Sequence, residues 1–198
     1  MRNIQLIVVV AVVAFLGYSF LGGSSGPQSA DLGQVLDRTV FAMERYDGYL
    51  KENNVNEVGD KELEVLTAFM GEVMNSDPKF YDQPIGIALQ KDASFLGFAD
   101  ANANKVQDSG EDKIFTVEID SENKRLIATD TTGAGAHYGF SGAGFLAGAL
   151  IGSMLSRQSA AGVKPGAFNN RTTTARSSYK APSSARSRAR SGGLGRGK

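Results

Sequence analysis

The residues best suited to chemistry lie between Asp100 and Glu111, in the run DANANKVQDSGE. Oxygen-bearing side chains stand at positions 1, 3, 5 and 9 of this run, as Asp100, Asn102, Asn104 and Asp108. Glu111 closes it at position 12, and Val106 offers its backbone carbonyl at position 7. Calcium, a hard cation, takes about six to eight oxygens, and a carboxylate at position 12 can supply two of them. Three of the candidate ligands are anionic, Asp100, Asp108 and Glu111, which points to weak binding, in the ~10⁻⁴–10⁻³ M range of extracellular modules. The same residues also read as an Asp/Asn-rich turn between strands that binds nothing, because short amide and carboxylate side chains bond their own backbone.

Residues 100–111 resemble the EF-hand-like, DxDxDG-type calcium loops, which also occur outside paired EF-hands, in dockerins and in calcium-stabilised repeats of bacterial surface proteins. The resemblance implies calcium as a cofactor, held to stiffen a fold rather than to signal. It covers this loop alone. The chain departs from the pattern twice. Lys105 stands where such loops carry Gly, at a turn that wants positive φ, at a cost of about 1 kcal/mol. Gln107 stands where paired EF-hands are apolar.

Catalysis has few candidates. The chain has no Cys, which excludes disulfides, thiol nucleophiles and Cys-ligated metals. Its one His, His137, sits beside Tyr138, seven residues beyond the last acid, Asp130. A histidine base needs an orienting carboxylate and a nucleophile, and no Walker loop, nucleophile elbow or HExxH helix is present. No catalytic residue is assigned, and a non-enzymatic protein is expected.

The loop must be positioned by the elements around it. From Asp31 to Lys51, with Ser29 as a plausible N-cap, Leu32, Val35, Leu36, Val40, Met43, Tyr46 and Leu50 recur at helical spacing. Asp60 can cap a second helix, whose stripe is Leu63, Leu66, Met70, Val73 and Met74. Beyond Pro84 the period falls to two: Ile85–Leu89, Ser94–Ala99, Phe115–Ile119 and Arg125–Thr129 read as strands. The expected fold is α+β, two helices on a small antiparallel sheet over residues 31–130. Strands, not helices, should flank the candidate loop.

Charge divides the chain further. All 21 acids lie between Asp31 and Asp130, against ten bases there, while residues 157–198 carry ten bases and no acid. Residues 1–30 hold an uncharged apolar run, Ile4–Leu21, after Arg2, which reads as a signal peptide or an N-terminal membrane anchor. Residues 131–156 form a Gly-rich apolar segment in which Gly144, Gly148 and Gly152 recur every fourth residue. In a helix those glycines make a flat face for another helix, and residues 134–155 would span about 33 Å, enough to cross a bilayer. A Gly-rich linker is the alternative. Residues 157–198, rich in Ser, Gly and Arg, are too poor in apolar groups to order themselves.

The expected protein is therefore a bacterial-type inner-membrane protein. Its acidic domain would be exported and calcium-stabilised, its glycine-faced helix would pair with another copy or another membrane protein, and its tail would be cytoplasmic. The tail would meet anionic lipid or an acidic partner, with nucleic acid less favoured. The competing expectation is a periplasmic or secreted protein with no second span, whose basic tail binds an anionic polymer, a nucleic acid or a cell-surface polymer.

Overall fold

The computed structural model of the chain describes residues 30–141, 148–178 and 180. The leader, Gly144 and most of the C-terminal end lie outside the described residues. Among the described residues three helices and a six-stranded mixed sheet make an α+β domain.

Helix α1 (Leu32–Glu52) starts at Asp31, whose Oδ1 accepts from the Gly33 and Gln34 N–H groups at 2.9 and 3.2 Å. The cap is thus two residues later than Ser29, and it satisfies donors that a helix start leaves orphaned. Helix α2 (Asp60–Met74) is capped by Gly59, with the Glu62 carboxylate accepting from the Gly59 N–H at 3.0 Å. Asp60 is already inside the helix. Leu63, Leu66, Met70 and Met74 are buried as the spacing predicts, while Val73 is only partly buried.

Strands β1 (Ile85–Leu89), β2 (Phe95–Ala99), β3 (Lys113–Asp120), β4 (Arg125–Asp130) and β5 (Gly135–Gly139) run as an antiparallel meander. A sixth short strand, β6 (Thr174–Ala175), joins β5 in parallel. Phe115, Val117 and Ile119 of β3 face the helices with Leu126, Ala128 and Ala136, and all are buried in one core with the helical stripes. Gly97 sits under the Phe115 ring, where a Cβ would collide with it.

Residues 131–156 are not one membrane helix. Their first part is β5, which completes the hydrogen bonding of β4 through pairs such as Leu126↔Tyr138 and Ile127↔His137. Their last part opens helix α3 (Ala149–Ala160), twelve residues with Gly148 as N-cap. Leu150, Ile151 and Met154 are buried in the domain core, so the apolar face that the sequence assigns to lipid is covered by protein. Among the described residues no helix is long and apolar enough to cross a membrane.

The basic segment likewise begins inside the fold. Gln158 donates from Nε2 to the Ile119 carbonyl at 3.0 Å, and Ser153 Oγ donates to the Val58 carbonyl at 2.7 Å. Residues 161–173 then run as a strap to β6, and a 3₁₀ turn (Arg176–Ser178) follows. Composition underestimates this stretch because the surface that orders it belongs to the sheet rather than to the segment.

Candidate functional site

Residues 100–111 connect β2 to β3, so strands do flank the loop. Asp100 is 3 % exposed and its carboxylate is turned onto the loop backbone. Oδ1 accepts from the Asn104 N–H at 3.0 Å and Oδ2 from the Lys105 N–H at 2.9 Å. Asn102 Oδ1 accepts from the Asn104 N–H at 3.1 Å, and Asn104 Oδ1 from the Val106 N–H at 2.7 Å. These are successive side-chain turns of the type short Asx residues favour. They wind the chain through the left-handed region at Ala103 (φ 57°) and Lys105 (φ 64°).

The donor set then parts from what a cation needs. The carboxamide nitrogens of Asn102 and Asn104 both donate to Asp108 Oδ2, each at 2.8 Å, so they present N–H groups, not oxygens, to that carboxylate. Glu111 is engaged through both oxygens, accepting from the Ala101 N–H at 3.0 Å and the Asp108 N–H at 3.0 Å. Val106 is 61 % exposed. Among the described residues no three Asp, Glu or His side chains gather where they could hold a metal ion. In this arrangement the loop's carboxylates close its own backbone.

Of the glycines assigned to helix packing, Gly148 and Gly152 lie one turn apart at the start of α3, the Gly152 N–H donating to the Gly148 carbonyl at 3.0 Å. Gly148 begins α3 as its N-cap, where an added Cβ would meet the Asp47 carboxylate, whereas Gly152 looks into open space. Gly144 lies outside the described residues.

His137 is placed on the outer face of the sheet, away from the helices. Its Nδ1 lies 2.9 Å from Thr173 Oγ1 in the strap. Burial, and then the Arg125 charge, lower its pKa below the usual imidazole value. Arg125 reaches the strap as well, from Nη2 to the Phe168 carbonyl at 3.1 Å and from Nη1 to Thr173 Oγ1 at 3.2 Å, while its Nε donates to Asp120 at 2.8 Å.

The strap answers with its own bases. Arg171 donates to Glu118 Oε1 at 2.9 Å, while Glu118 Oε2 is buried without a hydrogen-bond partner. Burial raises the Glu118 carboxyl's pKa, and Arg171 works against that rise. Arg176 grips both oxygens of Asp37 at 3.0 and 2.6 Å, a two-point guanidinium–carboxylate pair. A Cβ on Gly33 would meet that guanidinium at 3.0 Å. Arg157 of α3 pairs with Asp60.

A feature unassigned by sequence lies at the opposite edge. A groove of about 460 Å³ runs between α2 and β1 and ends on the 100–106 part of the loop. Its helical wall is Glu64, Thr67, Ala68, Gly71 and Glu72. That stripe was present in the sequence, at i, i+3, i+4, i+7 and i+8, on the face turned from the core. Only its small residues distinguish it from an ordinary solvated face. Comparison with known proteins gives no match among family models, curated proteins or solved structures.

Proposed function

We propose that the chain is a non-enzymatic exported binding module, whose base-rich C-terminal end engages an anionic polymer, a nucleic acid or a cell-surface polymer, with no second membrane span. One observation carries this reading: the bases of residues 157–198 divide at about residue 178. Before it stand four bases, and all but Lys164, namely Arg157, Arg171 and Arg176, meet a carboxylate of the acidic domain. After it come Lys180, Arg186, Arg188, Arg190, Arg196 and Lys198 with no acid among them. Because residues 148–178 pack on the domain, the basic end shares its compartment. The argument for a cytoplasmic tail falls with the second span. Export rests on Arg2 and the apolar run Ile4–Leu21.

Arginine suits such a ligand, since its planar fork matches phosphate and carboxylate oxygens at two points. The acidic domain, with 21 acids against ten bases in residues 31–130, would repel the same polymer. Contact is thereby confined to the end of the chain. The sole His does not argue for catalysis, because its ring is engaged with Thr173 beside Arg125.

The test is fluorescence anisotropy of a labelled single-stranded DNA or polyphosphate titrated with the full chain over a range of salt. Binding through about four to six charges gives a log–log salt slope of about −3 to −4. Ending the chain at Lys180 should remove it. Equal affinity of the full and shortened chains would refute the reading.

A further inference from the structure

The edge of the sheet farthest from the strap is open. Among the described residues β1 pairs with β2 alone. Pro84 O accepts from the Asp100 N–H at 2.9 Å, and the Gln90 N–H donates to Ser94 O at 2.8 Å. Even-numbered residues of this strand therefore turn their N–H and C=O groups to β2, and Ile85, Ile87 and Leu89 turn theirs outward. At Ile85 a side chain does what a neighbouring strand would do. Asn75 Oδ1 accepts from the Ile85 N–H and Asn75 Nδ2 donates to the Ile85 carbonyl, both at 2.8 Å. No strand among the described residues does the same for Ile87, which is only 5 % exposed and lies in the groove wall. Its outward N–H and C=O make this edge a template for an added strand.

The facing wall of the groove leaves room for one. Thr67, Ala68 and Gly71 are small, and a Cβ added at Gly71 would touch nothing within 4 Å. Glu64 and Glu72 stand at the two ends of that stripe, both exposed.

We propose that this groove receives residues 185–191 of a second copy of the chain as an added strand on β1. The segment reads Ala185-Arg-Ser-Arg-Ala-Arg-Ser191. Small and basic residues alternate with period two, so an extended backbone puts Arg186, Arg188 and Arg190 on one face and small side chains on the other. Arg186 to Arg190 spans about 13 Å as a strand, and Glu64 to Glu72 about 12 Å along a helix. The outer arginines thus match the two carboxylates while the strand's backbone bonds Ile87 and Leu89, the usual mode of strand addition to a free edge.

Reach assigns the segment to another copy. Ser178 ends the last continuous described segment, just past β6, and the groove lies outside β1, at the other end of the strand order. Six strand spacings of about 4.8 Å make about 29 Å. The seven residues from Ser178 to Ala185 extend to about 24 Å at most.

This inference stands apart from the polymer reading, because it concerns a protein groove and is read without any polymer present. The test is residue-resolved amide hydrogen exchange of the full chain at low and at high concentration. Ile87 and Leu89 should exchange about tenfold more slowly at high concentration, with β3 and β4 amides unchanged. The triple variant Arg186→Ser, Arg188→Ser, Arg190→Ser should lose that dependence, as should Glu64→Gln with Glu72→Gln, while protection of β3 and β4 shows that both still fold. Rates of Ile87 and Leu89 that ignore concentration would overturn the proposal, since they mean no partner or the same chain. So would protection that survives in the arginine variant.

Discussion

Glu111 closes the β2–β3 loop with both carboxylate oxygens, on the Ala101 and Asp108 N–H groups. A carboxamide offers one acceptor where the carboxylate offers two, so Glu111→Gln turns an amide N–H against one of those donors. The expected cost is about 1 kcal/mol, read as a lower urea midpoint. A calcium ion would have to displace the bonds from Asn102 and Asn104 to Asp108 by rotating both carboxamides. Millimolar calcium is therefore expected to leave the midpoint of the parent unchanged, and the Glu111→Gln deficit to be the same with and without the ion. A calcium-dependent rise abolished by Glu111→Gln would instead show that the amides turn. Residue types at spacings could not settle this. Position and element were legible at Asp100–Glu111, but whether an Asn shows its oxygen or its nitrogen to Asp108 depends on which backbone donor claims the oxygen first.

At the scale of elements, the structure turns on how α2 ends. Arg38 of α1 donates to the Val73, Met74 and Ser76 carbonyls at 2.9, 3.0 and 2.8 Å through Nη1, and to the Pro78 carbonyl at 2.6 Å through Nη2. One guanidinium thus serves the orphan carbonyls of a helix C-terminus and places a positive charge at its negative end. Its carbon also lies 4.9 Å from the Phe80 ring centroid. Arg38→Met keeps the stem and removes the fork; a loss of about 2–3 kcal/mol in urea unfolding is expected. Arg38→Lys should recover little of it, since one ammonium cannot reach carbonyls on both sides of the turn. Equal midpoints for Arg38→Met and the parent would mean that water serves those carbonyls as well. Neither partner was visible in sequence, because the contact joins residues 35 or more apart. What sequence did show were α1 and α2, whose stripes repeat over 21 and 15 residues, and the strands from Ile85 to Thr129. It failed at β5 and α3, where glycines at every fourth residue satisfy a helix pattern but GAHYG is claimed by the free edge of β4. Period is a local property; which edge needs a partner is not.

The whole molecule is an acidic core that its own basic segment completes. Ile127 is fully buried on the outer face of β4, between Glu118 of β3 and His137 of β5 in register. Arg171 and Thr173 of the strap bond those two neighbours, so the strap crosses over Ile127. A chain ending at Ser156 would uncover that face. It would also lose the Gln158 bond to Ile119, the Arg171–Glu118 and Arg176–Asp37 pairs and the β6 pairing. The exposed pairs contribute little each. The weight lies with the buried amide bond, the half-buried Glu118 left without its arginine, and the apolar outer face, together on the order of 5 kcal/mol. A loss of that size consumes much of the ~5–15 kcal/mol that holds a domain of this size folded. A chain ending at Lys180 discards five of the ten bases after Ser156 and none of the described contacts. Thermal melting separates the two readings of the basic segment. If it is only an appendage, both shortened chains melt with the parent; if residues 157–178 belong to the domain, the chain ending at Lys180 keeps the parent's Tm while the one ending at Ser156 melts far lower or does not fold.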